Sequence, residues 1–188
     1  MICEPFSNYD DKWFYQTNYL ESYHKTTLSV VKMLIILFSC YLFGNSFLPQ
    51  HDNYVVLLVR DLPSRIKYFI TKVLSIIIIL VIVTLIIYMF YLLVGKVLVV
   101  NFKWTLYDLG NYSELFFQSL GYGTFAILMI LVFKNSLGYM VPYLIYVVIE
   151  IVTSDQNHYP NYLPSFIYIS CAIIFTLWSL TQYSKKNL

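Results

Sequence analysis

Few residues in this chain have the type and spacing to do chemistry. The histidines, His24, His51 and His158, fall in three separate polar stretches, and the sequence holds no HExxH pair, no GxxxxGK[ST] loop and no GxSxG elbow. Those arrangements serve zinc hydrolysis, nucleotide binding and serine acyl transfer. Without them the sequence predicts no catalytic residue, no metal-ligand set and no cofactor. Cys3, Cys40 and Cys171 show no paired spacing, and Cys40 and Cys171 sit in apolar runs where a buried thiol is the ordinary expectation. Glu150 is different, because it lies inside the apolar run VPYLIYVVIEIV. A charge there is costly in lipid, so such a residue is a functional candidate by default. Two readings of Glu150 stand: a transport-path residue facing a polar cavity, or a side chain that reaches the headgroups from near the end of its span.

The second chemical feature is a basic segment. Arg60, Arg65, Lys67 and Lys72 form the densest positive cluster in the chain. Over residues 50–72, Tyr54, Leu57, Leu58, Leu62, Ile66, Phe69 and Ile70 recur at spacings of three and four, while Arg60, Asp61, Ser64, Arg65 and Lys67 take the other face. This periodicity predicts an amphipathic helix lying at the membrane surface. Pro63 suits the first position of a new helix and biases Leu62 away from helical geometry, so an elbow is expected before a long span. Leu57, Leu58, Arg60, Pro63, Ser64 and Arg65 are the candidate contact surface for a partner. Attraction to anionic lipid, about 1 kcal/mol per basic side chain, is the competing use.

The elements that position these residues are membrane spans. Between Lys72 and Lys96, residues 73–95 form an uncharged run of 23, VLSIIIILVIVTLIIYMFYLLVG. As a helix at about 1.5 Å per residue it covers a hydrocarbon core of about 30 Å. Its many Val, Ile, Leu and Phe side chains, at roughly 0.3 kcal/mol each, favour insertion by about 5 kcal/mol. Further spans are expected at about 26–48, 115–133, 136–153 and 164–183, giving an all-α, polytopic membrane protein of five spans with a short amphipathic cytoplasmic elbow. The chain is 59% hydrophobic and 12% charged, well below the roughly one quarter charged of globular proteins. Its net charge of +2 is too small to indicate nucleic acid.

Details within the spans carry further expectations. Lys32 should reach the headgroups, Gly121 and Gly123 should let a neighbouring helix approach closely, and Pro142 should kink the fourth span. Lys134 and Asn135 should form a tight turn, and residues 96–114 an aromatic outer loop with Trp104 and Tyr107 at the interface. Residues 1–25 lack a basic region followed by an apolar core, which predicts an acidic, aromatic extracytoplasmic tail without a cleavable signal. The basic residues at 60, 65, 67, 72, 134, 185 and 186 place the elbow inside, against 12, 25, 32, 96 and 103 outside.

At the elbow the stretch LLVRDLPSRIKYFITKVLSIIII resembles the pattern of ABC-2 type transporter permeases, in which a short Ser-Arg segment and a lysine precede a long apolar helix. The resemblance covers about residues 30–180 in helix order and places Ser64, Arg65 and Lys72 on the matching positions. It implies that this cytoplasmic segment lies against a separate ATPase subunit and transmits its motion, that a second permease subunit completes a homo- or heterodimer, and that the chain itself hydrolyses nothing. It further implies a bacterial plasma-membrane protein that exports peptides or confers immunity to them. The chain departs from the family in showing five spans rather than six, its N-terminal segment resembling the first outer loop of such a permease. A non-transporting immunity or accessory protein that binds a partner is the alternative. The expected orientation is testable in a background lacking Cys3: cysteines placed at Asn111 and Asn157 should react with an impermeant thiol reagent in intact cells, whereas one at Asn135 should not. The reverse labelling would overturn the orientation.

Overall fold

The computed structural model describes residues 29–50, 62–98, 106–155 and 165–184, and these residues are all-helical apart from short turns. Four helices are long and apolar enough to cross a membrane: α1 (Ser29–Ser46), α2 (Leu62–Leu98), α3 (Leu106–Phe133) and α5 (Ser165–Ser184). Between α3 and α5, a 3-10 turn (Ser136–Tyr139) leads into the shorter apolar helix α4 (Met140–Asp155). This is the architecture of a multi-pass membrane protein.

Most of α2 faces outward. Its 37 residues extend roughly 55 Å, well beyond a hydrocarbon core of about 30 Å, so the turns carrying Arg65, Lys67 and Lys72 are surplus to crossing unless the helix tilts. Leu62 and Pro63 open the helix, where the missing proline N–H has no partner to lose. From there it runs unbroken through the uncharged stretch. Phe69, Val73, Ile76, Leu80, Thr84 and Tyr88 form one buried stripe at helical spacing, while Leu74, Ile78, Ile82, Leu85 and Phe90 are exposed on the other sides. Exposed leucines and isoleucines in such numbers suit lipid.

The centre of the bundle is α3. Its most apolar window is 56% buried, against 33% for α1, 28% for α2 and 11% for α5. It packs against α5, α4 and α2, and α1 crosses it closely at Gly123, where any added Cβ would run into Phe43 and Ser39. Gly121 lies at ordinary contact distance from Tyr168, 3.5 Å for the same construction. The close approach expected of this glycine pair therefore belongs to Gly123.

Inter-helix contacts set the helix directions. Lys32 meets Glu114 and Ser39 meets Ser119, so α1 and α3 run parallel; Phe125 stacks on Phe175, and Tyr122 lies beside Tyr168, so α3 and α5 do too. Tyr88 against Tyr112 and Phe69 against Tyr183 set α2 the opposite way, as Tyr146 against Tyr122 does α4. Successive helices thus alternate up and down. One end of the bundle gathers Arg65, Lys67, Lys72 and Lys134, and the opposite end holds Glu114 and Glu150.

Two sequence expectations change. First, Glu114 lies inside α3, which begins at Leu106, so part of the expected outer loop is helical. Second, Pro142 falls in the first turn of α4, after the 3-10 turn, where a proline costs no hydrogen bond and no mid-helix kink arises. The expected tight turn is present: Lys134 adopts a left-handed φ of 57°, its N–H donates to Ile130 at 2.8 Å, and the Asn135 side chain accepts from the Leu137 N–H at 3.0 Å. Gly138 then packs against α3 backbone, a Cβ there falling 2.8 Å from the Ile130 nitrogen. Backbone cannot yield as a side chain can, so Gly138→Ala should destabilise the protein by about 1–3 kcal/mol. Gly110→Ala, where nothing lies within 4 Å, should not. Melting temperatures of the two purified variants in one detergent check this; equal values would refute the packing.

Candidate functional site

At the basic end, three helices meet through aromatic rings. Phe47 at the end of α1 lies 5.1 Å from Phe69 of α2, and Tyr183 of α5 lies 6.2 Å from Phe47 and 5.3 Å from Phe69, centroid to centroid. Pairs at such distances contribute about 0.5–1.5 kcal/mol each beyond their area. The Lys72 ammonium sits 4.7 Å over the Phe47 ring and 5.1 Å over the Tyr68 ring, a cation–π pairing that ties α2 to α1. A cleft lined by Phe47, Pro49, Ile130, Leu131, Lys134 and Gln182 opens at this same end.

The structure places some of the candidate contact residues there. Pro63 and Ser64 are exposed in the first turn of α2, and Arg65 is half-buried in the next positions. Leu57, Leu58 and Arg60 lie outside the described residues, as does most of the expected surface helix. Lys72, which the permease resemblance placed on a matching position, is the residue that joins this segment to the ring cluster.

The opposite end holds a polar cluster that the sequence reading missed. Lys32 Nζ lies 3.8 Å from Glu114 Oε1, and both side chains are largely buried, at 15% and 11% exposure. Lys32 therefore turns inward to a carboxylate rather than out to the headgroups, because α3 extends far enough to carry Glu114 against α1. Gln118 Nε2 donates to the same Oε1 at 2.8 Å, one helical turn along α3. Below this pair, Ser39 Oγ donates to the Ser119 carbonyl at 2.6 Å, a buried bond between helices.

Around these groups stand tyrosines from three helices. Tyr122 of α3 has its ring 5.4 Å from Tyr146 of α4 and 6.4 Å from Tyr168 of α5. Glu150 is half-buried and follows Tyr146 by one helical turn on the same face of α4. Tyr146 is only 4% exposed, and its hydroxyl has no hydrogen-bond partner. Leaving such a group unmatched costs roughly 1–3 kcal/mol. Two signals pointed here: Glu114 and Gln118 at i, i+4, and Tyr146 and Glu150 at the same spacing.

Among the described residues no group of three His, Cys, Asp or Glu side chains is placed to hold a metal ion. Comparison with known protein families, with curated proteins and with solved structures finds no match to this chain.

The Lys32–Glu114 pair is open to a double-mutant cycle. Removing one partner takes a counter-charge from a largely buried group, so Lys32→Met and Glu114→Gln should each destabilise by about 1–3 kcal/mol. Together they should cost clearly less than their sum, by about 1–3 kcal/mol. Additive losses in melting experiments would show that the two charges do not interact.

Proposed function

We propose that this chain is the membrane-spanning subunit of an ABC transporter of the ABC-2 permease type, seated in a bacterial plasma membrane and serving the export of, or immunity to, peptides. The observation that carries the reading is the ring cluster at the start of α2. Phe47, Phe69 and Tyr183, with Lys72 over Phe47, bind this segment to the ends of α1 and α5. A partner that displaced the start of α2 would move three helices at once, as a coupling segment must. The chain carries no nucleotide-binding loop, so the partner supplies ATP hydrolysis, and a second permease subunit in the membrane plane completes the transporter.

In this reading the chain has five spans, one fewer than the six of the family pattern. The 3-10 turn and α4 together advance roughly 8 Å and roughly 24 Å, near the thickness of a hydrocarbon core, so α4 serves as the fourth crossing. The basic end, with Arg65, Lys67, Lys72 and Lys134, then lies in the cytoplasm, and the Glu114–Glu150 end lies outward. The competing reading is a non-transporting immunity or accessory protein, favoured by the breadth of exposed apolar surface on α2, which could receive a partner in the membrane plane.

The two readings separate at the coupling segment. Leu58→Glu and Arg65→Glu should leave insertion and abundance nearly unchanged, because the uncharged run of α2 alone favours insertion by about 5 kcal/mol. Both should abolish co-purification of a partner ATPase. Retention of the ATPase at wild-type stoichiometry in both variants would reduce the segment to a membrane anchor and remove the permease reading's main support.

A further inference from the structure

The cleft at the basic end joins an apolar wall to a polar rim. Buried Phe47 and Ile130 and half-buried Leu131 form its wall, while Lys134 and Gln182 line it from exposed positions. Its volume is about 110 Å³, somewhat less than the roughly 150 Å³ that takes up benzene, so it admits part of an amphipathic molecule. Its depth follows from the helices that build it. The cleft lies where α1, α3 and α5, all of spanning length, come to their ends. Ends of spans lie at the headgroup level, and the apolar wall continues from there toward the acyl chains.

Charge selects the ligand. Lys134 is fixed at the rim by its own backbone, whose left-handed φ of 57° and N–H bond to Ile130 close the end of α3. Among the described residues its ammonium has no carboxylate partner. Arg65, Lys67 and Lys72 lie at the same end of the bundle, and in the sequence Lys185 and Lys186 follow directly after α5. The described acidic positions, Asp108, Glu114, Glu150 and Asp155, fall toward the other ends of α3 and α4. A cation therefore meets like charge here, whereas an anion gains. A free phosphate ion would use the rim and leave the apolar wall without an occupant; a lipid uses both.

We propose that this cleft binds an anionic phospholipid, its phosphate between Lys134 and Gln182 and the upper part of one acyl chain against Leu131, Ile130 and Phe47. The Lys134 ammonium supplies the opposite charge, and the Gln182 amide donates a hydrogen bond to a phosphate oxygen. Phe47 also carries the ring contacts to Phe69 and Tyr183, so the lipid touches the group that joins α1, α2 and α5. The site lies within one chain and rests neither on the permease reading nor on any ATPase.

The test is native mass spectrometry of the purified full chain in a non-ionic detergent, titrated with dioctanoyl phosphatidylglycerol. Dioctanoyl phosphatidylcholine and glycerol 3-phosphate serve as comparison ligands. One phosphatidylglycerol per chain should bind saturably, and both comparison ligands should bind several-fold more weakly. Lys134→Asn, which suits the left-handed turn, should weaken phosphatidylglycerol about fivefold, equivalent to the about 1 kcal/mol that a basic side chain gains at an anionic surface. Lys134→Arg should retain binding. Gln182→Glu, an exposed change that puts negative charge on the rim, should weaken it at least as much as Lys134→Asn and decides the matter if that variant fails to fold. Lys67→Gln, outside the cleft, should leave binding within about twofold. Absence of saturable binding to the folded wild type, or equal binding of phosphatidylcholine, would overturn the assignment. So would equal losses in Lys67→Gln and Lys134→Asn, the mark of diffuse attraction to the basic end. Glycerol 3-phosphate binding as tightly as the lipid would make this a small-anion site, and a dimer that excludes the lipid would make it a contact between copies; either overturns the proposal. ATPase co-purification is scored separately, so failure here and failure of the permease reading remain distinct.

Discussion

The packing of α1 on α3 depends on a missing side chain. At Gly123 the central helix α3 lets Phe43 and Ser39 of α1 into the space a Cβ would fill. In lipid the hydrophobic effect does not drive one apolar helix against another, so association rests on close packing and on hydrogen bonds between helices. Both occur at this crossing, since Ser39 also donates to the Ser119 carbonyl one turn away. The register fixed there brings Lys32 level with Glu114 at one end and Gly44 against Tyr139 toward the other. Move α1 along α3 by a turn and the buried charge pair separates.

From this crossing, packed side chains reach both ends of the molecule. One buried cluster includes Phe43, Phe47, Phe69, Leu80, Ile127, Ile130 and Tyr183, and a second includes Ile36, Cys40, Ala126 and Tyr146; Tyr139 packs against both. The first contains the ring contacts that hold the start of α2. The second contains the tyrosine beside Glu150. The basic end and the polar end are therefore joined by contiguous packed side chains.

Much of the fold was legible in the sequence because lipid imposes a strong rule: a crossing helix must be long, apolar and closed in its own hydrogen bonds. The uncharged run at 73–95, the turn at Lys134 and Asn135 and the close approach at Gly123 all follow from residue type and spacing. The candidate site was legible only in part. Glu150 stood out as an acid in an apolar run, but Glu114 sits at the boundary between a polar loop and an apolar helix, where hydropathy alone does not say which side it belongs to. Its partner Lys32 lies more than eighty positions earlier in the chain, and no local pattern links such residues. The same limit hid the tyrosines, which are so frequent in this chain, 19 in all, that three more in apolar runs carry no signal until the helices are brought together. Pro142 misled because a proline near a helix start and one within a helix look alike until the start is known.

The polar end is not what holds the bundle together. Well-packed apolar residues of similar volume replace buried ion pairs with little loss and often with a gain, because desolvation offsets most of the Coulomb attraction. The crossing at Gly123 and the ring contacts at Phe47, Phe69 and Tyr183 already join α1, α2, α3 and α5 without any charge. Tyr146 adds a hydroxyl that gains nothing from its surroundings, where a phenylalanine would fill the same space at no polar cost. A chain selected only to sit in a membrane would do better without these groups.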